Sequence, residues 1–420
     1  MKKVTTKKPD WVIFSDGMGV ESAAILARWD KMTDEERGFT WDRLIIITAQ
    51  VGEEMTDTIL LNETFMLEIM RRQKIRFVEV ARAGHLEEDG IVVLQDTRQP
   101  ICLHPEGVYK LSDELLASGT VPQFGGEHRC ALKFKAFVIE TWLTEHFAKE
   151  HIGHVYGYNV DEKSRIAKSD LAIGERNQMV FGFNSEEPGR IERAKKYDTP
   201  TRIGIYPLQE WGWNRQTCLD FLFKLFGVVW VKSACGFCPF SGEAVKGTRA
   251  ALTRFAAHPE QSVHSLLVEY NSLCFNPRGQ LYKKNPLQVI LDTPATRAVK
   301  DQFTSNLDLL KWGLYRVRRI YSKKGKAIRA VELISQGDRK GMQALVGKFV
   351  AMELTPIKHH GIAYAYFQQR DVDSYPSFEG FYVAAPLFMQ TKVRGPIEKF
   401  NERWDAGLIG VPHTELAAAA

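Results

Sequence analysis

The octapeptide Ser15-Asp-Gly-Met-Gly-Val-Glu-Ser22 carries residue types that can hold an oxyanion. It lies between an apolar run, Trp11 to Phe14, and a stretch of helical period, Glu21 to Trp29. Glycine at 17 and 19 lets the backbone turn sharply and approach a ligand, while free N–H groups at a helix start and the Ser22 hydroxyl can bind phosphate. Ser15, Asp16, Gly17, Met18, Gly19, Val20, Glu21 and Ser22 therefore read as a phosphate cradle, with a tight ligand-free turn as the plain alternative. It is not a Walker loop, because no Gly-Lys-Ser/Thr closes it, nor a dinucleotide Gly-x-Gly-x-x-Gly, because the third residue after Gly19 is Ser22. A second loop, Thr48-Ala-Gln-Val-Gly-Glu-Glu54, also follows a strand-like run. The C-terminal ends of strands are where open α/β sheets place their ligand crevice, so Gln50, Gly52 and Glu53 join the candidates. Glu53 or Glu54 can hold Mg²⁺ or a ribose hydroxyl; solvated acids at a helix start are the alternative.

The cysteines form another constellation. Six in 420 residues are too sparse for a secreted disulfide framework, and Cys235-Gly-Phe-Cys238, with Pro239 behind it, has the spacing of two thiolates sharing a metal ion or a cluster edge. Cys218 lies on a helical stripe with Phe221, Leu222 and Leu225, where a core thiol is the competing reading. Near the other end, Lys311 to Arg329 holds Lys311, Arg316, Arg318, Arg319, Lys323, Lys324, Lys326 and Arg329, no acid, and Trp312, Tyr315 and Tyr321 between them. Basic and aromatic side chains interleaved on a strand pair suit a phosphate backbone and stacked bases; a solvated hairpin with a protective lysine edge is the bland reading.

The elements that must position these groups follow from periodicity. Over the first 240 residues short apolar, β-branched runs (Trp11 to Phe14, Arg43 to Thr48, Arg76 to Val80, His154 to Gly157, Ile203 to Leu208) alternate with helical stretches (Leu60 to Gln73, Ala131 to Phe147, Asn214 to Phe226), which is the pattern of a parallel sheet. Asn214 stands as the N-cap of the last of these. Residues Lys163 to Thr201 are charged and aperiodic and read as an excursion over a site, in the manner of a lid. Further on, Trp312 to Tyr321 and Ala327 to Leu333 read as a hairpin, with short strands at Gly361 to Phe367 and Phe381 to Ala385. The fold class is α/β, a doubly wound parallel sheet over residues 1–245 with a second, mixed α+β domain over 246–420 that contains the hairpin 311–333. A hydrophobic content of 44% with 25% charged residues is that of an ordinary globular chain and excludes a disordered, collagen-like or coiled-coil one. Apolar runs fall far short of the roughly 18 residues a membrane span needs, and the lysine-rich start lacks the apolar core of a signal peptide, so the expected location is cytoplasmic. A net charge of +5 permits an anionic partner without demanding one.

The motifs together resemble the PP-loop adenine nucleotide alpha hydrolases, in the branch labelled phosphoadenosine phosphosulfate (PAPS) reductase-like. The Ser15 to Ser22 loop looks like that family's pyrophosphate loop. Gln50-Val-Gly-Glu53 resembles its Asp-Thr-Gly-x-Glu, Arg129-Cys-Ala-Leu-Lys133 its Cys-x-x-Leu-Lys segment, and Gly157-Tyr-Asn-Val-Asp-Glu-Lys-Ser-Arg165 its Gly-x-x-x-Asp-Glu-x-x-Arg. Tyr206-Pro-Leu followed by Trp213, and Lys232-Ser-Ala-Cys-Gly-Phe-Cys-Pro-Phe240, resemble its closing segments, so the likeness spans residues 10–242. Asp16, Glu21 and Gln50 depart from the family pattern, which has glycine or serine, aspartate and an acid at these places. The resemblance implies ATP with Mg²⁺ at the loop and Lys133 and Arg165 as contacts for the charge that develops at the α-phosphate. It also implies a 4Fe-4S cluster on Cys130, Cys218, Cys235 and Cys238, with zinc as the alternative occupant. The leading expectation is an ATP-dependent enzyme that adenylates an acceptor, releases pyrophosphate and transfers sulfur, with DNA or tRNA as acceptor and a sulfur-donor protein as partner. Two alternatives stand beside it. One is a PAPS or adenylyl sulfate reductase, against which stands the lack of any cysteine after Cys274. The other is a non-catalytic nucleotide or nucleic-acid binder on the same fold.

Overall fold

A computed structural model describes residues 11–122, 128–147, 177–180, 185, 202–240, 247–282, 287–323, 327–352, 354–389, 391–393 and 396–407. They fall into two units, one of Met1–Ser112 with Gly125–Gly236, the other of Asp113–Phe124 with Phe237–Ala420. The division at 245 read from the sequence leaves Asp113–Phe124 in the first domain, whereas this segment belongs to the second unit. Long-range bonds hold it there: Asn271 Nδ2 donates to the Leu116 carbonyl at 2.8 Å, and Arg329 Nη2 to that of Ser118 at 2.5 Å.

In the first unit the strands β1 (Trp11–Ser15), β2 (Leu44–Gln50), β3 (Arg76–Arg82), β4 (Ile91–Thr97), β5 (Asn177–Val180) and β6 (Arg202–Ile205) form one sheet in the order β4-β3-β2-β1-β5-β6. All neighbours run parallel except the edge strand β4, which lies antiparallel on β3. Alternation along the strands sends Val12, Phe14, Leu44, Ile46 and Phe77 to one face and Ile13, Ile45, Ile47, Val78 and Val80 to the other. The first face is covered by α1 (Val20–Trp29), by α2 (Thr56–Leu61) and α3 (Leu67–Arg72), which are joined through a π-helical stretch (Asn62–Met66), and by α5 (Arg215–Phe226). The second is covered by α4 (Phe137–Phe147). Burial on both faces is why β2 reads as an unbroken apolar run, each buried Ile contributing roughly 2 kcal/mol. β5 falls inside the stretch expected to be an aperiodic excursion. Its four residues become a strand because β1 and β6 pair with it on either side. The expected strand at 154–157 lies outside the described residues.

The second unit is built on an antiparallel sheet in the order β12-β8-β7-β11-β10-β9: β7 (Trp312–Tyr321), β8 (Ala327–Gly337), β9 (Thr355–His359), β10 (Ile362–Gln368), β11 (Ser377–Pro386) and β12 (Lys392–Val393). The helix α6 (Pro259–Phe275) lies against one face, where Phe275 meets the Tyr315 ring edge-on at 4.9 Å. α7 (Arg297–Leu309) packs against α6 through Phe303 and Tyr270. On the other face α8 (Arg339–Ala351) brings Phe349 onto Tyr382, and α9 (Ile397–Gly407) brings Phe400 and Trp404 onto Ile320, Ala330 and Phe378.

This register gives partners to three of the arginines in the basic stretch Lys311 to Arg329. Arg316 and Arg318 face α9 and share the Glu332 carboxylate, at 2.5 Å each, and Arg318 is further stacked over Phe400 and Trp404. Arg319 faces the other way, 4% exposed, and pairs with Glu379. The sequence shows the charges but not their partners, since Glu332 lies on the neighbouring strand and Glu379 is 60 residues away. No helix among the described residues is long and apolar enough to cross a membrane.

Candidate functional site

The carboxyl end of β1 runs directly into the 15–22 loop. Asp16 N donates to the Ile47 carbonyl at 2.9 Å, so the loop starts in register with β2 and stands beside its end. β1 is also where the strand order turns, β2 and β3 lying on one side and β5 and β6 on the other, the place at which such sheets leave a crevice. Gly19 is the N-cap of α1 in extended conformation (φ −91°, ψ −179°), and no side chain caps the helix. The first-turn N–H groups thus have no partner within the helix and carry its positive dipole end.

Neither glycine is required by the protein's own backbone or packing. Both lack the positive φ that favours glycine; that conformation falls instead on Met18, at φ 57°. A Cβ on Gly17 would meet nothing within 4 Å, and one on Gly19 would lie 3.7 Å from Ser233 Cβ and 3.8 Å from Glu21 Oε2, ordinary contacts. A side chain at Gly17 would therefore stand in open space, and one at Gly19 would be tolerated by its neighbours. Met18 is held in its left-handed conformation, which costs about 1–2 kcal/mol, by its own N–H on Asp16 Oδ1 at 2.7 Å and by its carbonyl accepting from Asn62 Nδ2 at 3.0 Å. Its side chain is buried in the core, so of the cradle residues Met18 contributes backbone only.

Acids surround this space. Burial raises the Asp16 carboxyl above its ordinary range despite bonds from Met18 N and the Ser22 hydroxyl and the charge of Lys135. Burial likewise raises Glu54, against the Lys135 charge and the Ala234 N–H, which lies 2.6 Å from Glu54 Oε1. Glu21 is ion-paired: Arg215 Nη1 donates to both its oxygens, at 2.7 and 2.9 Å, and the guanidinium offsets its charge at the helix start. Ser233 closes one side by donating to the Gly17 carbonyl at 2.9 Å.

Gln50 is 1% exposed and bound away from solvent. Its Nε2 donates to Glu79 Oε1 at 2.6 Å, which fixes the amide, since a flipped oxygen would face that carboxylate. Among the described residues Gln50 Oε1 is left without a donor, and so is Asn62 Oδ1, whose Nδ2 is committed to the Met18 and Thr58 carbonyls. Two buried acceptors without donors therefore flank the base of the loop, an arrangement that folded proteins keep rare. Glu79, wholly buried, is satisfied by Gln50, by Gln95 at 2.6 Å and by the His104 N–H and Nδ1 at 2.9 and 2.8 Å.

The other sequence candidates divide. Gly52 has φ 83° and a Cβ there would sit 2.6 Å from Lys110 Cγ, so this glycine serves the turn itself. Glu53 holds the chain together, Oε1 accepting from Ser112 N at 3.0 Å and its carbonyl from Gly236 N at 3.1 Å. Ser15 ends β1 and Val20 is buried at the start of α1. Lys133 sits on a π-helical stretch (Leu132–Ala136), but the charge that reaches Asp16 and Glu54 is that of Lys135 on the same stretch. Arg165 lies outside the described residues. Cys130 is the middle residue of the short helix Arg129–Ala131, half-buried, and the backbone of Cys235 pairs with that of Glu54 in an isolated antiparallel β-bridge. Cys238 is half-buried as well. Cys218 does not fit a ligand: it is 0% exposed within the core that contains Phe14, Leu222 and Trp230, and burial, then the Glu21 charge, push its thiol up to about 12. The core reading of its helical stripe is the one the packing supports, because the stripe faces the sheet. Among the described residues no three His, Cys, Asp or Glu come together as a metal-holding group.

Sequence reading missed Lys135, Asn62, Glu79, His104 and Arg215. The one available signal was Glu79, an acid inside the buried run Phe-Val-Glu-Val. Lys135 and Asn62 depend on two π-helical stretches, a distortion frequent at functional sites that leaves no mark in periodicity. Comparison of the chain with family models, with curated proteins and with solved structures finds no match.

Proposed function

We propose that the first unit is a doubly wound PP-loop domain that binds ATP at the 15–22 loop and activates an acceptor by adenylation, releasing pyrophosphate. The observation that carries the reading is the pair of glycines that the fold does not need, placed before an uncapped helix start at the turn of strand order. Helices on both faces of a mostly parallel sheet support the fold assignment. In this reading the N–H groups of Val20, Glu21 and Ser22 bind phosphate oxygens, and the Ser22 hydroxyl turns from Asp16 to donate to one of them. Asp16 and Glu54, two carboxylates held above their ordinary pKa by burial, fit Mg²⁺, which takes one or two carboxylates together with substrate phosphates. Bound there, Mg²⁺ would supply charge neutralisation between the phosphates. Lys135 balances the two carboxylates, and Lys133 remains the candidate for charge developing at the α-phosphate. Acceptor oxygen attacks the α-phosphorus, the bond to pyrophosphate breaks, and a sulfur nucleophile then displaces AMP. The last step rests on the sequence resemblance alone, and no step is routed through an iron-sulfur cluster, which Cys218 does not fit.

The test is calorimetry with ATP and Mg²⁺ on the full chain and on Ser22→Ala, followed by an assay for AMP and pyrophosphate with acceptor extracts. Ser22→Ala should lose tenfold or more in affinity, about the value of one charge-assisted hydrogen bond. Equal affinity of the two proteins would remove the loop from nucleotide binding.

A further inference from the structure

We propose that the second unit holds a site for a phosphomonoester dianion, built from Arg278, Arg319, Arg329 and Arg370 around Tyr321. The sheet register sets up the site. Arg329 on β8 lies opposite Arg319 on β7, and Arg319 lies opposite Glu379 on β11, so one face carries the row Arg, Arg, Glu across three strands. Like charges directly opposed across a strand pair are destabilising. Here the middle guanidinium is nearly removed from water, Arg319 and Glu379 each being 4% exposed.

Glu379 meets part of this charge. Its Oε2 lies 3.3 Å from Arg319 Nη1 and 3.6 Å from Arg278 Nη2, and accepts from the Tyr321 hydroxyl at 2.7 Å. Arg278 also donates to the Tyr321 hydroxyl, and the Arg370 guanidinium lies over the Tyr321 ring, 4.0 Å from its centroid. Arg329 donates to the neutral carbonyls of Ser118 and Gly119 and, among the described residues, to no carboxylate, and burial, then repulsion from Arg319, pull it down to about 10. Among the described residues Glu379 is the one carboxylate paired with these four arginines, which leaves a surplus of three positive charges. The neighbouring Asp371 is spent on its own loop, accepting from Asp373 N at 2.9 Å and Ser374 Oγ at 2.7 Å.

A separate observation points to a missing acceptor. Arg370 Nε is buried and has no hydrogen-bond partner among the described residues, a donor that folded proteins rarely leave unused. The way in is from Arg278, whose side chain is 51% exposed. A terminal phosphate suits the place. It carries two charges, presents three oxygens to planar guanidinium forks, and is compact enough to reach toward a buried Arg319, which a continuous diester backbone is not.

The inference does not depend on the nucleotide reading of the first unit. The test therefore uses the full chain carrying Gly19→Val, which closes the other loop. Calorimetry and thermal melts with inorganic phosphate, against chloride at equal ionic strength, should show saturable binding and a raised melting temperature. Arg278→Ala, at the accessible side, and Arg370→Ala should each weaken phosphate binding tenfold or more while remaining folded in phosphate-free buffer. Competition with ribose 5-phosphate and with a 5′-phosphorylated oligonucleotide then tells a free phosphomonoester from a terminal phosphate on a chain. Stabilisation no greater than by chloride would overturn the site, as would unchanged affinity in both variants. So would equal competition by a 5′-hydroxyl oligonucleotide, which would assign the cluster to diester backbones.

Discussion

Gly19→Ala should separate folding from nucleotide binding. In the extended conformation of residue 19 an alanine is unstrained, and its Cβ would make only ordinary contacts with Ser233 and Glu21, at 3.7 and 3.8 Å. Two small terms then oppose each other. A less flexible unfolded chain stabilises by about 0.4–1 kcal/mol, and alanine is a poorer N-cap than glycine by roughly 1 kcal/mol. The net is within ~1 kcal/mol, a melting shift of about 3 °C or less for a unit of this size. Binding at the proposed phosphate site should be affected far more, because residue 19 is the N-cap next to the first-turn amides of α1 and a methyl group there competes with a phosphate for space. Displacing a phosphate from two charge-assisted bonds of ~1.5 kcal/mol each lowers affinity about a hundredfold. Gly52→Ala is the contrasting control: with φ 83° and a Cβ 2.6 Å from Lys110 Cγ it should destabilise by about 1–3 kcal/mol. The assay is calorimetry with ATP and Mg²⁺ beside thermal melts of the same samples. A Gly19→Ala protein that melts more than about 6 °C lower, or that binds within threefold of the parent, would refute the argument that this glycine is kept for a ligand.

Two further outcomes follow from the buried groups. Asp16 and Glu54 have folded-state pKa values raised above the ordinary 3.8 and 4.5, so their contribution to stability is full below those values and is lost as pH rises through the folded ones. Asp16→Asn with Glu54→Gln should therefore flatten the fall in ligand-free stability above about pH 4, measured by melts from pH 4 to 8, and an unchanged pH profile would mean that these carboxylates are not desolvated. The Cys218 thiol, pushed up to about 12 and wholly buried, should resist iodoacetamide at pH 8 in the folded chain while the exposed Cys102 is alkylated; mass spectrometry showing equal rates would place Cys218 outside the core.

Local chemistry alone determined several features. The strand, glycine loop and helix of residues 11–29 are written in a short apolar run, two glycines and a 3.6 period, each acting within a few residues. Asn214 caps α5 as its type and position require, its side chain accepting from Thr217 N at 2.9 Å. The β7–β8 hairpin and the strands β10 and β11 were legible for the same reason, because β-branched and aromatic residues on a half-buried strand mark themselves. Tertiary structure decided what depends on partners distant in sequence. Asn177–Val180 has only one β-branched residue and is a strand through the hydrogen bonds of β1 and β6. Lys135 acts on the buried Asp16 and Glu54 across a sequence separation of 119 and 81 residues, from a π-helical stretch that periodicity does not reveal. The arginines of 316–329 were visible as charge, but whether each meets solvent, Glu332, Glu379 or another arginine is fixed by strand register, which shifts every side chain to the opposite face for a slip of one residue. Sign and periodicity are properties of the chain itself. Pairing and desolvation exist only once distant segments are brought together.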